Sequence, residues 1–279
     1  MTRIALCQIP VDEEPAVNLR RAREAMERAA ADGAGLAVFP EATLTRYGKR
    51  ITDLAEPLDG PFVTGLAEAA RAHRMAVIAG VFEPGEPGAP DGAGGPAGPG
   101  TRLVHNTAVA LGPSGEIAAA YRKIHLFDSF GARESELVAP GDAPVVVELA
   151  GLRVGLVTCY DVRFPELGRA LVDRGAEVLA VIAAWGSGPM KEDHWATLVR
   201  ARAIENTVWV AAVGQAPNPA SRDGFGVGRS MLVDPMGVVR ADLGPAPGVL
   251  TSVLDPQITI DTRNALPCLE HRRLGAGGS

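Results

Sequence analysis

The stretch VGLVTCYDVRFPEL, residues 154–167, decides how the chain is read. An apolar run rich in β-branched residues ends at Cys159, polar residues follow at once, and Pro165 stands where a helix can begin. A buried strand, a sharp turn and the helix ELGRALVDRGA form the repeating unit of an α/β fold. Cys159 sits at the junction. It is either a small core residue, as free cysteines often are, or a nucleophile presented at a strand end. The rest of the chain must supply partners for the second reading.

On both sides of this stretch the same alternation recurs. RIALCQI (3–9) reads as a buried strand, and residues 15–33 read as a helix that stops near Gly33. LAVFPE (36–41) reads as a short strand, residues 61–74 as a helix starting at Pro61, and AVIAGVFE (76–83) as a strand. Residues 84–100, PGEPGAPDGAGGPAGPG, are almost entirely Pro, Gly and Ala. Strands of similar character resume after them, so they read as a surface loop inside one domain spanning 1–279. LVHNTAVAL and IAAAYRK flank GPSGE as a hairpin, and PVVVEL and RVGLVTC flank AGL in the same way. Further on, EVLAVIAAW is a strand, EDHWATLVRARAIEN a helix and TVWVAAVGQ a strand, and RSMLVDPMGVVRADL turns at DPMG. The class is α/β with mixed sheets.

The composition excludes several functions. The net charge is −6 with no Lys/Arg cluster, which argues against a nucleic-acid surface. No run approaches the roughly 20 apolar residues of a membrane span, and MTRIALCQIP carries no signal-peptide pattern. Cys7, Cys159 and Cys268 are odd in number and scattered. They form neither a disulfide framework nor a zinc spacing, which fits a reduced, cytoplasmic setting.

Three reactive groups stand at or just beyond strand ends: Glu41 after LAVFP, Lys123 after IAAAYR and Cys159 after RVGLVT. Ligands of α/β proteins bind outside the carboxyl ends of strands, so the three can converge. Their chemistry is complementary. A thiolate attacks a carbonyl, a glutamate moves the proton, and a lysine holds the oxyanion. Taken singly, each also reads as a core cysteine, a paired carboxylate or a surface lysine.

FPEATLT around Glu41, YRKIHLFD around Lys123 and CYDVRFPEL after Thr158 resemble, in order and separation, the three signature blocks of the nitrilase superfamily of carbon–nitrogen hydrolases. HWATLVRARAIEN and GRSMLVDPMG agree with later blocks. The resemblance implies an α-β-β-α sandwich that dimerises, and a Glu41–Lys123–Cys159 catalytic triad that needs neither a metal nor an organic cofactor. It also implies a second active-site glutamate within ESELVAPG, with Glu134 the best match and Glu136 its competitor. Tyr160 then offers a backbone N–H to the oxyanion. The form of the blocks resembles the branch of ω-amidases and deaminated-glutathione amidases, which act on small carboxylate-bearing amides. Arg163 suits such a carboxylate, with an ion pair to Glu166 as the structural alternative. Trp185 either lines the pocket or caps the core. The segment AAWGSGPMKEDHW departs from the pattern of either amidase, and in it His194 and Trp195 read as packing and capping residues.

The expected function is a thioester-forming amidase for a small-molecule amide, without nucleic-acid or membrane partners, working as a homodimer or larger homo-oligomer. N-carbamoyl-amine or nitrile hydrolysis on the same triad, a catalytically silent binding protein and a thiol redox protein are the competing readings.

Overall fold

In the computed structural model, residues 1–85, 103–218 and 225–274 are described. The expected loop at 84–100 thus lies almost wholly outside the described residues. The apolar runs form twelve strands in two six-stranded sheets. The first sheet has the order β12-β1-β2-β3-β4-β5, from Gly248–Leu254, Thr2–Gln8, Leu36–Val38, Ala76–Pro84, Val104–Leu111 and Ile117–Arg122. The second has the order β11-β10-β9-β8-β7-β6, from Val239–Asp242, Met231–Val233, Trp209–Gly214, Val178–Ala183, Leu152–Thr158 and Val146–Leu149. Both are mixed: β1, β2 and β3 run parallel, as do β7, β8 and β9, while β12, β4 and β5 in the first sheet and β6, β10 and β11 in the second add antiparallel strands outside them.

Alternation of side chains along a strand sorts the core into layers. In the first sheet Ile4, Leu6, Leu36, Val38 and Ile78 face the second sheet. Ala5, Cys7, Ala37, Phe39 and Val77 face outward, against helices α1 (Pro15–Ala31) and α3 (Pro61–His73), which flank the one-turn α2 (Ile51–Leu54). Ala22, Met26 and Ala29 of α1 and Phe62, Leu66 and Ala70 of α3 close that layer. On the far side, α4 (Pro165–Asp173) and α5 (Lys191–Asn206) cover the second sheet with Leu167, Leu171, Trp195, Val199 and Ala203. Helices α6 (Pro256–Ala265) and α7 (Cys268–His271) follow β12. The result is the expected α-β-β-α sandwich.

Several bounds differ from expectation by up to three residues, α2, α6 and α7 were not among the expected elements, and two further differences shape the site and the first sheet. β2 ends at Val38 rather than Glu41. Pro40 has no N–H for the ladder, and Ala42 turns the chain at φ 56°, so Glu41 is carried off the sheet edge. β12 has no counterpart among the strands read from the sequence. It pairs antiparallel with β1, from Thr2 opposite Leu254 to Gln8 opposite Gly248, across almost the whole length of the chain.

Candidate active site

Two of the three reactive strand ends, those of Glu41 and Cys159, carry left-handed residues, Ala42 and Cys159. Cys159 has φ 49°, a conformation that non-glycine residues rarely adopt. The turn lifts its thiol off the end of β7 before the 3₁₀ turn Cys159–Arg163 and α4 begin. Asp161 holds this elbow. Its buried carboxylate accepts from the Thr158 N–H (3.1 Å), the Tyr121 hydroxyl (2.7 Å) and the His125 backbone N–H (3.0 Å). It also lies 2.7 Å from His125 Nδ1. Tyr121 and His125 flank Lys123, so one carboxylate registers the cysteine strand against the lysine strand.

Glu41 is fixed just as tightly. Its Oε1 accepts from Asn106 Nδ2 (2.7 Å) and Lys123 Nζ (3.0 Å), and its Oε2 from the Ala184 N–H (2.7 Å). Its backbone carbonyl accepts from Gln215 Nε2 at 2.9 Å. Gly80 on β3 lets the Glu41 backbone approach: a Cβ there would lie 2.5 Å from Glu41 Cα. Glu134 completes the cluster, 2.8 Å and 3.1 Å from Lys123 Nζ and 3.1 Å from Asn106 Nδ2. Glu136 instead stands at the surface beside Arg133, at 3.8 Å. The structure therefore brings Glu134, and not Glu136, to Lys123.

Glu41, Lys123 and Glu134 are each no more than 3% exposed. Burial alone would strip the charge from Lys123, but Glu134 and Glu41 outweigh it and hold the ammonium pKa well above its ordinary value. The Cys159 thiol goes the same way for a different reason. Burial and the charge of Glu41 raise its pKa, and Lys123 only partly offsets them. The resting site is a neutral thiol beside a carboxylate–ammonium–carboxylate cluster.

These groups share one cavity of about 540 Å³ with Tyr160, Arg163 and Trp185. All the residues picked out from the sequence as catalytic or binding thus meet in one place. Arg163 makes no ion pair with Glu166; among the described residues no carboxylate lies within ion-pair distance of it. Its guanidinium lies over the rings of Trp185 (4.9 Å) and Tyr160 (5.9 Å), with its Nη2 3.5 Å from His194 Nδ1. Trp185 both lines the cavity and packs on Trp195, and it donates from Nε1 to the Lys191 carbonyl at 2.8 Å. Trp195 is a core residue as expected; His194 does not cap α5 and faces Arg163 instead. Cys7 lies buried in β1, and Cys268 points its Sγ at the Glu205 carbonyl (3.6 Å), both away from the cavity. Among the described residues, no group of three His, Cys, Asp or Glu side chains is arranged to hold a metal ion.

Four residues escaped the sequence reading: Asn106, Asp161, Gly80 and Tyr47. Asn106 donates both amide hydrogens to the two glutamates and leaves its own buried Oδ1 without a partner. An unsatisfied buried acceptor costs on the order of 1–3 kcal/mol, a sacrifice that marks a functional position. The polar HN pair inside an apolar strand was the available signal. The Tyr47 hydroxyl faces Glu134 without closing a hydrogen bond of normal geometry, and burial together with Glu134 pushes its pKa up.

The carbon–nitrogen hydrolase family profile matches residues 3–264. A hydrolase of Mycobacterium tuberculosis is 41% identical over 280 residues, covering 97% of this chain and 95% of that protein. The deaminated glutathione amidase of Escherichia coli O157:H7 is 36% identical over 254 residues, covering 89% and 88%. The crystal structure of a CN-hydrolase superfamily protein from Xanthomonas campestris superposes with a TM-score of 0.85 at 27% identity, covering 99% of each chain. With its sandwich, its strand-end cluster and these relatives, the chain belongs to the carbon–nitrogen hydrolase family of the nitrilase superfamily.

Proposed function

We propose that this carbon–nitrogen hydrolase is a cysteine-dependent amidase that cleaves a small, carboxylate-bearing amide to acid and ammonia or amine through a thioester. The observation that carries the reading is the convergence of Glu41, Lys123, Glu134 and Cys159 at one cavity whose wall bears Arg163, which among the described residues has no carboxylate partner. Glu41 takes the Cys159 proton as sulfur attacks the amide carbon. Lys123 and the Tyr160 N–H hold the oxyanion. Glu41 returns the proton to the departing nitrogen as the C–N bond breaks, which leaves the thioester. Glu41 then takes a proton from water, hydroxide adds to the thioester, and the acid leaves as the thiol is restored. Glu134 keeps Lys123 charged and in place throughout. Arg163 grips the substrate carboxylate, a role its planar fork suits and which no carboxylate among the described residues occupies. The likeness to a deaminated glutathione amidase supports a carboxylate-bearing substrate.

A homodimer or larger homo-oligomer in the cytoplasm completes the proposal. Exposed Ile204, Met236 and Val238, with Gly237 packed on Ile204, supply an apolar patch suited to a second copy. Among the described residues no helix is long and apolar enough to cross a membrane.

Ammonia release from a panel of ω-amides, neutral amides, N-carbamoyl amines and nitriles tests the reaction class, with intact-protein mass spectrometry to catch the acyl adduct. Cys159→Ala must abolish both turnover and adduct, and Cys159→Ser must be nearly as inactive. Turnover in Cys159→Ala, or a preference for nitriles or carbamoyl compounds, refutes the proposal.

A further inference from the structure

The cavity wall also bears Lys191, a cation that the proposed reaction does not use. Lys191 opens α5. Its Nζ sits 4.0 Å from the ring centre of Phe130 and 5.3 Å from that of Phe127, parked over aromatic faces at the cavity wall. It lies 5.9 Å from the ring centre of Trp185, the same indole on which Arg163 rests at 4.9 Å. Two cations thus share one aromatic platform. Among the described residues, neither has a carboxylate within ion-pair distance. The cavity's own carboxylates, Glu41 and Glu134, are taken up by Lys123 and Asn106.

Like charges that converge without a counter-ion repel, and partial burial strengthens the repulsion. The direction of the Lys191 pKa agrees: burial and then Arg163 push it below the ordinary lysine value. The whole chain carries a net charge of −6, yet among the described residues no acidic side chain pairs with either cation. An arriving anion is the missing partner.

We infer that Lys191 and Arg163 together form a two-cation clamp for the carboxylate of the substrate's acyl part, so that Lys191 is a specificity-determining residue. This rests on the proposed amidase reading and adds a residue to it. The two cations act differently. Arg163 offers two parallel N–H donors in a fixed plane, which set the carboxylate's direction. Lys191 is a compact charge on a flexible stem, which swings from the phenylalanine faces onto the same carboxylate. The ammonium exchanges a weak attraction to π-faces for a full opposite charge. Lys191, Arg163 and Cys159 line the same cavity, so one small substrate can meet the clamp and the nucleophile together. An amide with a carboxylate on its acyl part brings the clamp its counter-ion; a neutral amide leaves both cations unpaired.

The test compares succinamate with its neutral counterpart butanamide in wild type, Lys191→Met, Lys191→Arg and Arg163→Met. A parallel arm measures succinate binding to Cys159→Ala, with and without Lys191→Met, by calorimetry. Lys191→Met keeps the apolar stem and removes the charge. It is expected to raise KM for succinamate by about tenfold, the scale of one lost charge contact, and to weaken succinate binding by a similar factor. Its effect on kcat/KM for butanamide is expected to be several times smaller. Lys191→Arg is expected to restore succinamate KM to within about threefold of wild type. Equal losses on both substrates overturn the inference, because they mark Lys191 as structural. Unchanged succinamate KM in Lys191→Met, with a raised value in Arg163→Met, also overturns it and leaves the amidase reading standing. A wild-type enzyme that does not prefer succinamate over butanamide overthrows the carboxylate-bearing substrate and the clamp together.

Discussion

Gly80→Ala adds one methyl group, yet it reaches the candidate general base. The new Cβ would lie 2.5 Å from both Glu41 Cα and the Ala42 N and 2.8 Å from the Glu41 carbonyl carbon. Carbon atoms in contact prefer about 3.5–4.0 Å, so one backbone must retreat by about 1 Å. Neither is free to do so. The Gly80 N–H donates to the Pro40 carbonyl at 3.0 Å, and the Leu44 N–H donates to the Gly80 carbonyl at 3.2 Å. The Glu41 carboxylate is held by Ala184, Asn106 and Lys123. Overpacking of this kind costs roughly 1–3 kcal/mol of stability. A catalytic group misplaced by about 1 Å costs on the order of 10²-fold in rate. Gly80→Ala should therefore unfold several degrees early and lose about a hundredfold in kcat while still folded at assay temperature. Gly35→Ala is the control: its Cβ would find nothing closer than 3.6 Å, and both stability and rate should hold. Thermal unfolding and ammonia-release kinetics on the same preparations separate the two effects. A Gly80→Ala enzyme with kcat within twofold of wild type would refute the claim that the close approach at Gly80 sets the position of Glu41.

Three further outcomes are expected. Glu41→Gln removes a charge that raises the Cys159 pKa while Lys123 still lowers it. The thiolate titration, followed by ultraviolet absorbance, should then move to lower pH although hydrolysis is lost; an unmoved or higher midpoint counts against the charge cluster described. Asn106→Ala takes one charge-assisted donor from each glutamate, at about 1.5–3 kcal/mol apiece, and relieves one unsatisfied acceptor worth about 1–3. A net loss of roughly 1–3 kcal/mol in denaturant unfolding, with kcat down at least about tenfold, is expected. Glu83 is buried, and although burial opposes its charge, Arg122 and Thr107 hold its pKa below the ordinary value. A folded pKa below the unfolded one contributes stability above about pH 4.3, and this is lost as pH falls through the folded value. Glu83→Gln should therefore be less stable than wild type near neutrality, and the gap should shrink as pH falls below the ordinary glutamate range; a gap constant with pH contradicts the ion pair's contribution.

Local chemistry is written in neighbouring residues, and that is why the elements could be read from the chain alone. Pro15 and Pro61 start helices, Gly33 stops one, and the GPSGE and AGL turns close hairpins, because each acts on its own backbone dihedrals. Glu41, Lys123 and Cys159 could be picked out because each stands at the end of an apolar run, where α/β folds present reactive groups. Which groups would touch was another matter. β12 pairs with β1 across nearly the full chain, and no neighbour of Gly248–Leu254 specifies that partner. Glu134 and Glu136 sit two residues apart in the same short turn, and only the packing of that turn sends the first to Lys123 and the second to solvent. Asn106 is one polar residue in an apolar strand until the fold sets Glu41 and Glu134 on either side of its amide. Lys191 and Arg163 are separate charges in sequence, and they become a pair only where β8 and α5 bring Trp185 between them. Dihedral preferences and apolar periodicity are short-range, whereas burial, hydrogen-bond partners and charge pairing arise from distant segments meeting in three dimensions.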